Sequence, residues 1–249
     1  MSNHNVIAER PGKKIFVENS KLVKLFDAGY SKADILNEAL NQARVEETDL
    51  NIPKIQSVSV VDGCWSISMD YIEGTTLEQL MAENPEKLDE YLNLFVDVQL
   101  NIHSKRVPLL NMLIEKMNRK ISAADLDATT RYDLHTRLNG MKRHIKLCHG
   151  DFNPSNVIIT ADGTPYVIDW AHATQGNAAA DVARTYLLFY LQGKPDVAEK
   201  YLKLFCKKAD TAIQYVQKWI PIVAASRLVK APEEEKEFLM KWINVVDYE

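Results

Sequence analysis

At Gly74 the hydrophobic pattern of the chain changes period, and this switch limits the fold more than any other feature. Before it, short runs of alternating apolar and polar residues end at turn-forming pairs. "VIAER" stops at Pro11-Gly12, "KKIFVE" at Asn19-Ser20, and "KIQSVSVV" and "CWSISMDYI" flank Asp62-Gly63, with "KLVKLF" between the second and third turns. Period-two runs bounded in this way are strands joined by hairpins, so a small antiparallel sheet is expected. One helix interrupts it. Ser31, followed three residues later by Asp34, is a capping pair that opens a helix running to about Glu47, with Leu36, Ala39, Leu40 and Ala43 at helical spacing. Beyond Gly74, the stretch Pro85 to Ser104 places Leu88, Tyr91, Leu92, Phe95, Val98 and Ile102 on one helix face. Further helical patterns cover about 108–120, about 125–144 and the stretch from Asp181 to the end. The fold class is α+β, with an expected N-terminal lobe over 1–73 and a larger helical C-terminal lobe over 74–249.

Hydrophobic residues make up 46% of 249 residues, enough to bury a full core. The formal net charge of -4 is spread over interspersed acids and bases, with no basic stripe, so no nucleic-acid partner is expected. Cys64, Cys148 and Cys206 stand far apart without a CxxC pair, which suggests neither a disulfide framework nor a zinc site. No apolar run approaches the roughly 20 residues of a bilayer span, and "MSNHNVIAERPGKK" has no signal-peptide core. A cytoplasmic location without membrane contact is the expectation.

One loop carries more polar chemistry than a turn requires. In "LCHGDFNPSNVIIT", His149 is followed by Asp151 and, five residues on, by Asn156; "PYVIDW" then brings Asp169 thirteen residues beyond the asparagine, across a hairpin closed at Asp162-Gly163. That places Asp151 and Asn156 on the loop before one strand and Asp169 at the end of its neighbour, where the three can converge. Carboxylate and amide oxygens suit a hard divalent cation that keeps waters and phosphates as its other ligands. In phosphoryl transfer, one aspartate orients the attacking hydroxyl and takes its proton, while an asparagine and a second aspartate hold magnesium against the nucleotide phosphates.

"HGDFNPSN" followed by "VIDW" resembles the signature of the aminoglycoside phosphotransferase and choline kinase group, small-molecule kinases with a two-lobe, protein-kinase-like fold. The resemblance reaches most of the chain. It implies Asp151 as catalytic base, Asn156 and Asp169 as magnesium ligands, and Asp181 of "DVARTY" as a structural brace for the catalytic loop. It implies ATP, or GTP, as phosphoryl donor, held between the lobes, and a small-molecule hydroxyl as acceptor. Protein kinases carry a lysine two residues after the catalytic aspartate and a glycine two residues after the metal aspartate; here Asn153 and Ala171 stand there, and no Ala-Pro-Glu element follows. A protein substrate is therefore disfavoured.

The same resemblance requires a lysine for the nucleotide phosphates and a helix glutamate to aim it. Lys24 shares a strand face with Leu22 and Phe26, and Glu38 lies on the following helix; Lys21 has the opposite parity and sits at the strand start. "SMDYIEG" resembles the segment joining the lobes, with the carbonyl of Asp70 and the amide of Ile72, behind Met69, reading adenine. The phosphate-covering turn is reduced to "ERPGKK" around Gly12, and no GxxxxGK[ST] replaces it. His103 reads as a packed or capping residue, and "EEEKE" with the final "DYE" as solvated charge. Trp170, Trp219 and Trp242 read as core before they read as a cage for a quaternary ammonium. Aminoglycosides, choline, ethanolamine, sugars and amino alcohols all stay open as acceptors, as does a weakly catalytic, nucleotide-binding regulatory role.

Overall fold

The computed structural model describes residues 5–244; the final "DYE" lies outside them. Two compact units emerge. One comprises the chain up to Lys87 together with Pro154–His172, and the other comprises Leu88–Asn153 together with the chain from Ala173 onward.

The first unit is built on a five-stranded antiparallel sheet of β1 (Asn5–Arg10), β2 (Lys13–Glu18), β3 (Lys21–Phe26), β4 (Ile55–Val61) and β5 (Cys64–Asp70), in the order β1-β2-β3-β5-β4. The hairpins form where the turn pairs demand them. Asn19 and Ser20 take φ of 49° and 60°, and Asp62 and Gly63 take 50° and 79°, the doubly left-handed geometry whose twist matches that of paired strands. Pairing of Leu22 with Met69 and of Lys24 with Ile67 sets the register of β3 on β5. One sheet face then buries Phe26, Ile67 and Met69 against Ile35 and Ala39 of α1 (Lys32–Val45).

The cap of α1 is as read: the Ser31 side chain accepts from the Asp34 amide. Its buried face is not. Ile35, Glu38, Ala39, Asn41, Gln42 and Val45 point inward, while Leu36 and Leu40 are 41% and 47% exposed and Ala43 is exposed. Apolar spacing misjudged the face because three polar residues on it have buried partners. Glu38 meets Lys24, Asn41 donates to the Ala171 carbonyl at 3.0 Å, and Gln42 donates to the Pro53 carbonyl at 2.6 Å.

A second sheet of this unit pairs β6 (Thr75–Thr76), β8 (Val157–Ile159) and β9 (Pro165–Val167) in the order β6-β8-β9, and α2 (Leu77–Glu83) follows β6 with a Thr76/Gln79 capping box. Gly74 marks the start of this pairing. A Cβ there would lie 2.4 Å from the Ile159 carbonyl oxygen and 2.7 Å from Ile158 Cγ2. Since the obstacle is backbone, Gly74→Ala is expected to destabilise the protein by about 1–3 kcal/mol. A thermal melt should show this as a loss of several degrees; an unchanged midpoint would mean that the β6–β8 contact is soft.

The second unit is mainly helical: α3 (Leu88–Ser104), α4 (Leu113–Ala123), α5 (Ala128–Gly140), α6 (Ala178–Leu191), α7 (Pro195–Ala209), α8 (Ile213–Gln217), α9 (Ile220–Leu228) and α10 (Glu233–Ile243). A two-stranded pair of β7 (Lys146–Cys148) and β10 (Thr174–Gly176) completes it. The face of α3 is as expected, with Leu92, Phe95, Val98 and Ile102 buried. Phe95 stacks on Phe152 at 4.4 Å between ring centroids, which anchors the polar loop to the core of this unit. Trp170 and Trp219 are fully buried, and Trp242 packs on Tyr186, Tyr190 and Phe238, so all three serve packing. Among the described residues, no helix is long and apolar enough to cross a membrane.

Candidate active site

In the first unit, β3 aims Lys24 at the helix it packs against. Its Nζ donates to Glu38 Oε1 at 2.6 Å and lies 3.4 Å from Asp169 Oδ1, and the lysine is only 6% exposed. Burial works against a charged amine. The nearby carboxylates of Asp169 and Glu38 outweigh it, and the ammonium is held above its ordinary pKa. Lys13 supports the same glutamate, with Nζ at 3.6 Å from Oε2. Lys21, the competing lysine, is exposed.

Asp169 follows β9 and takes φ of 65°, a left-handed conformation that costs any residue with a Cβ about 1 kcal/mol or more and tends to persist at functional sites. Two hydrogen bonds hold the backbone around it. The Ile168 amide donates to the Asn156 carbonyl at 3.0 Å, extending the β8–β9 ladder by one position, and Asn41 grips Ala171 two residues on. The ladder thus brings Asn156, which is buried, and Asp169 to the same end of one hairpin. Arg10, at the end of β1, reaches Asp169 Oδ2 at 3.6 Å. The tight turn after it places Gly12 over Tyr30, whose ring would meet a Cβ at 2.8 Å.

Met69 is buried in the sheet core, and Ile72 is partly exposed. Asp70 has a structural task beyond its backbone: its side chain accepts from the Lys54 amide at 3.0 Å and from Gln56 at 2.7 Å, pinning the start of β4.

In the second unit the loop around Asp151 is fastened from α6. Asp181 accepts from the amides of His149 at 3.1 Å and Gly150 at 2.7 Å, and from the His103 ring at 3.1 Å. Thr185 donates to the Phe152 carbonyl at 2.7 Å. His103 is therefore a packed partner of the brace. Burial would raise the Asp181 carboxyl pKa, but the hydrogen bond and charge of His103, the charge of His149 and the Gly150 amide prevail and hold it below the usual range. With the folded value depressed, the stabilisation from Asp181 is complete above the unfolded value near pH 4 and is lost as pH falls through the folded one. Asp181→Asn should cost about 3 kcal/mol or more at neutral pH. That deficit should shrink as the medium is acidified below about pH 4, as urea melts of both proteins would show.

Asp151 itself meets a residue that the motif does not announce. Arg184 Nη2 donates to Asp151 Oδ1 at 2.8 Å. A helical signal was available, because Arg184 lies three residues after Asp181 and so shares its face of α6. Asn41 was less visible, being a polar residue that hydropathy assigns to solvent.

A family model described as "APH: Phosphotransferase enzyme family" matches residues 13–216, most of the chain. The chain belongs to this phosphotransferase family. Among solved structures, the phosphotransferase resembles a thermostable mutant of aminoglycoside phosphotransferase APH(4)-Ia in a ternary complex with ADP and hygromycin B. Identity is 13%, with 97% of this chain and 92% of that one covered and a TM-score of 0.69. It also resembles APH(3'')-Id from Streptomyces rimosus in complex with ADP and streptomycin (15% identity, 88% and 91% covered, TM-score 0.64). A third likeness is to an aminoglycoside-3'-phosphotransferase of type VIII (14%, 92% and 91%, TM-score 0.64). No curated protein sequence matches the phosphotransferase. At these identities the structures establish its fold, the α+β kinase-like fold expected from the motifs.

Proposed function

We propose that the phosphotransferase moves the γ-phosphoryl group of ATP, or of GTP, to the hydroxyl of a small molecule. The observation that carries this reading is the buried Lys24, held between Glu38 and Asp169. A buried ion pair is a poor device for stability, since well-packed apolar side chains of similar volume often do as well. An ammonium kept charged and aimed in such a place suits polyphosphate. ADP accompanies two of the similar structures, and an AMP-PNP complex is known for another.

The residues fit magnesium in a particular way. Among the described residues no three His, Cys, Asp or Glu side chains gather into a metal cage. One carboxylate and one amide oxygen, from Asp169 and Asn156, are what a cation sharing its shell with phosphates and waters needs from protein. When bound, magnesium would neutralise charge on the β- and γ-phosphates. Lys24, aimed by Glu38, holds phosphate oxygens, and the backbone of Asp70 and Ile72, behind Met69, reads the base. Asp151 orients the acceptor hydroxyl and takes its proton as the new O–P bond forms and the bond from the γ-phosphorus to the bridging oxygen breaks, leaving ADP. Asn156 and Asp169 act as metal ligands, and the division of labour follows a nucleotide-binding segment over 1–73 and an acceptor-binding remainder over 74–249.

The decisive measurement is ADP formation from magnesium ATP across a library of hydroxyl compounds. Acceptor-dependent ADP and a phosphorylated product are expected. Nucleotide binding with no transfer to any acceptor would favour a regulatory binding protein instead.

A further inference from the structure

One face of α6 grips the polar loop at successive residues. Asp181 accepts from the amides of His149 and Gly150, and Thr185 donates to the Phe152 carbonyl. Between them in sequence, three residues after Asp181 and so on the same face, Arg184 reaches the side chain of Asp151, with Nη2 at 2.8 Å from Oδ1. Asp181 and Thr185 fix backbone; Arg184 holds the functional group itself. The backbone of Asp151 is secured by other bonds, since its amide donates to His149 Nδ1 at 3.2 Å and its carbonyl accepts from Asn153 Nδ2 at 3.0 Å. Arg184 acts on what these bonds do not set, the rotation of the carboxylate about its side-chain bonds.

Stability does not explain this arginine. Its side chain is only 15% exposed, and Nε is buried with no acceptor among the described residues. An unmade buried donor weakens a fold, and a buried ion pair is seldom better than packed apolar side chains. The task of its partner does explain it. In a loose phosphoryl-transfer transition state the proton leaves late, so the strength of the base counts for less than the direction in which its carboxylate meets the hydroxyl. A guanidinium carries its donors in a fixed fork, and on a helix already fastened to the loop it can set that direction. We propose that Arg184 is a positioning residue, which aligns the carboxylate of Asp151 toward the acceptor hydroxyl without touching the reacting atoms. The assignment rests on the kinase reading above, in which Asp151 is the base.

The test uses the full chain and follows transfer from magnesium ATP to water, which needs no identified acceptor, and to any acceptor found in the hydroxyl library. Rates are expressed per AMP-PNP-binding site, so that unfolded protein does not count. Arg184→Met is expected to lower kcat about 10- to 100-fold, the scale of a misplaced catalytic group, with KM for ATP within about twofold of wild type. Arg184→Lys keeps the charge without the fork and should fall between Arg184→Met and wild type. The deciding readout is a double-variant cycle. In the Asp151→Asn background there is no base to align, so Arg184→Met should lower the residual rate by less than about twofold. An arginine that only supports the fold would lower the rate alike in both backgrounds. Equal losses in the two backgrounds, or wild-type kcat in Arg184→Met, would overturn the proposal and leave the kinase reading standing. Should Arg184→Met fail to bind AMP-PNP, Arg184→Lys in both backgrounds makes the same comparison. Wild type that binds AMP-PNP yet transfers phosphate neither to water nor to any acceptor would refute the kinase reading, and this assignment with it.

Discussion

Replacing Asp151 with asparagine is expected to lower turnover about 10²- to 10⁴-fold, the range a positioned general base contributes, while nucleotide affinity stays within about twofold of wild type. The substitution keeps the shape of the side chain and an oxygen that can still accept from Arg184, so the loop held by Asp181 and Thr185 has no reason to move. What disappears is the charge proposed to take the proton. In a loose phosphoryl-transfer transition state that proton leaves late, so part of the effect comes from losing the grip on the hydroxyl. Single-turnover kinetics with titration of nucleotide separate the two quantities. Unchanged turnover would take Asp151 out of the mechanism, and a parallel loss of nucleotide affinity would mean that the loop had collapsed.

Asp169→Asn should act on the other side of the reaction. Asparagine tolerates the left-handed backbone that Asp169 occupies at φ of 65°, so the hairpin is expected to survive. Lys24 keeps its 2.6 Å partner Glu38. The proposed metal ligand is lost, and turnover is expected to fall about 10³-fold, the scale of removing one preorganised electrostatic contact. The diagnostic result is in binding. Wild type should hold ATP more tightly with magnesium than without, and the variant should show little difference. Without metal the variant should bind ATP slightly better than wild type, since a carboxylate no longer repels the phosphates. Magnesium-dependent binding that persists undiminished in the variant would remove Asp169 from the ligand set.

The two units also show why some residues were readable in advance and others were not. The parity that set Lys24 on the face of Phe26 is a property of any strand, and Lys24 Nζ meets Glu38 on α1, fourteen positions away in sequence. The brace from Asp181, which the family resemblance implied, is made of three hydrogen bonds. By contrast, the inward face of α1 was misread because hydropathy assigns Glu38, Asn41 and Gln42 to solvent, whereas the fold supplies each with a partner. The segment Pro154–His172 packs with the first unit through contacts distant in sequence: β8 pairs with β6, and the Val167 amide donates to the Asn51 carbonyl at 2.9 Å.

What the chain's own order of residues determined was local: which runs are strands or helices, where turns fall, and which loop holds the oxygens and in what spacing. Those follow from backbone preferences and side-chain periodicity acting over a few residues. Only the tertiary structure decided which polar side chains are buried with partners and that an arginine from α6 lies on Asp151. Charge acts through space at distances of several ångströms whatever the sequence separation, so no reading along the chain could have summed it.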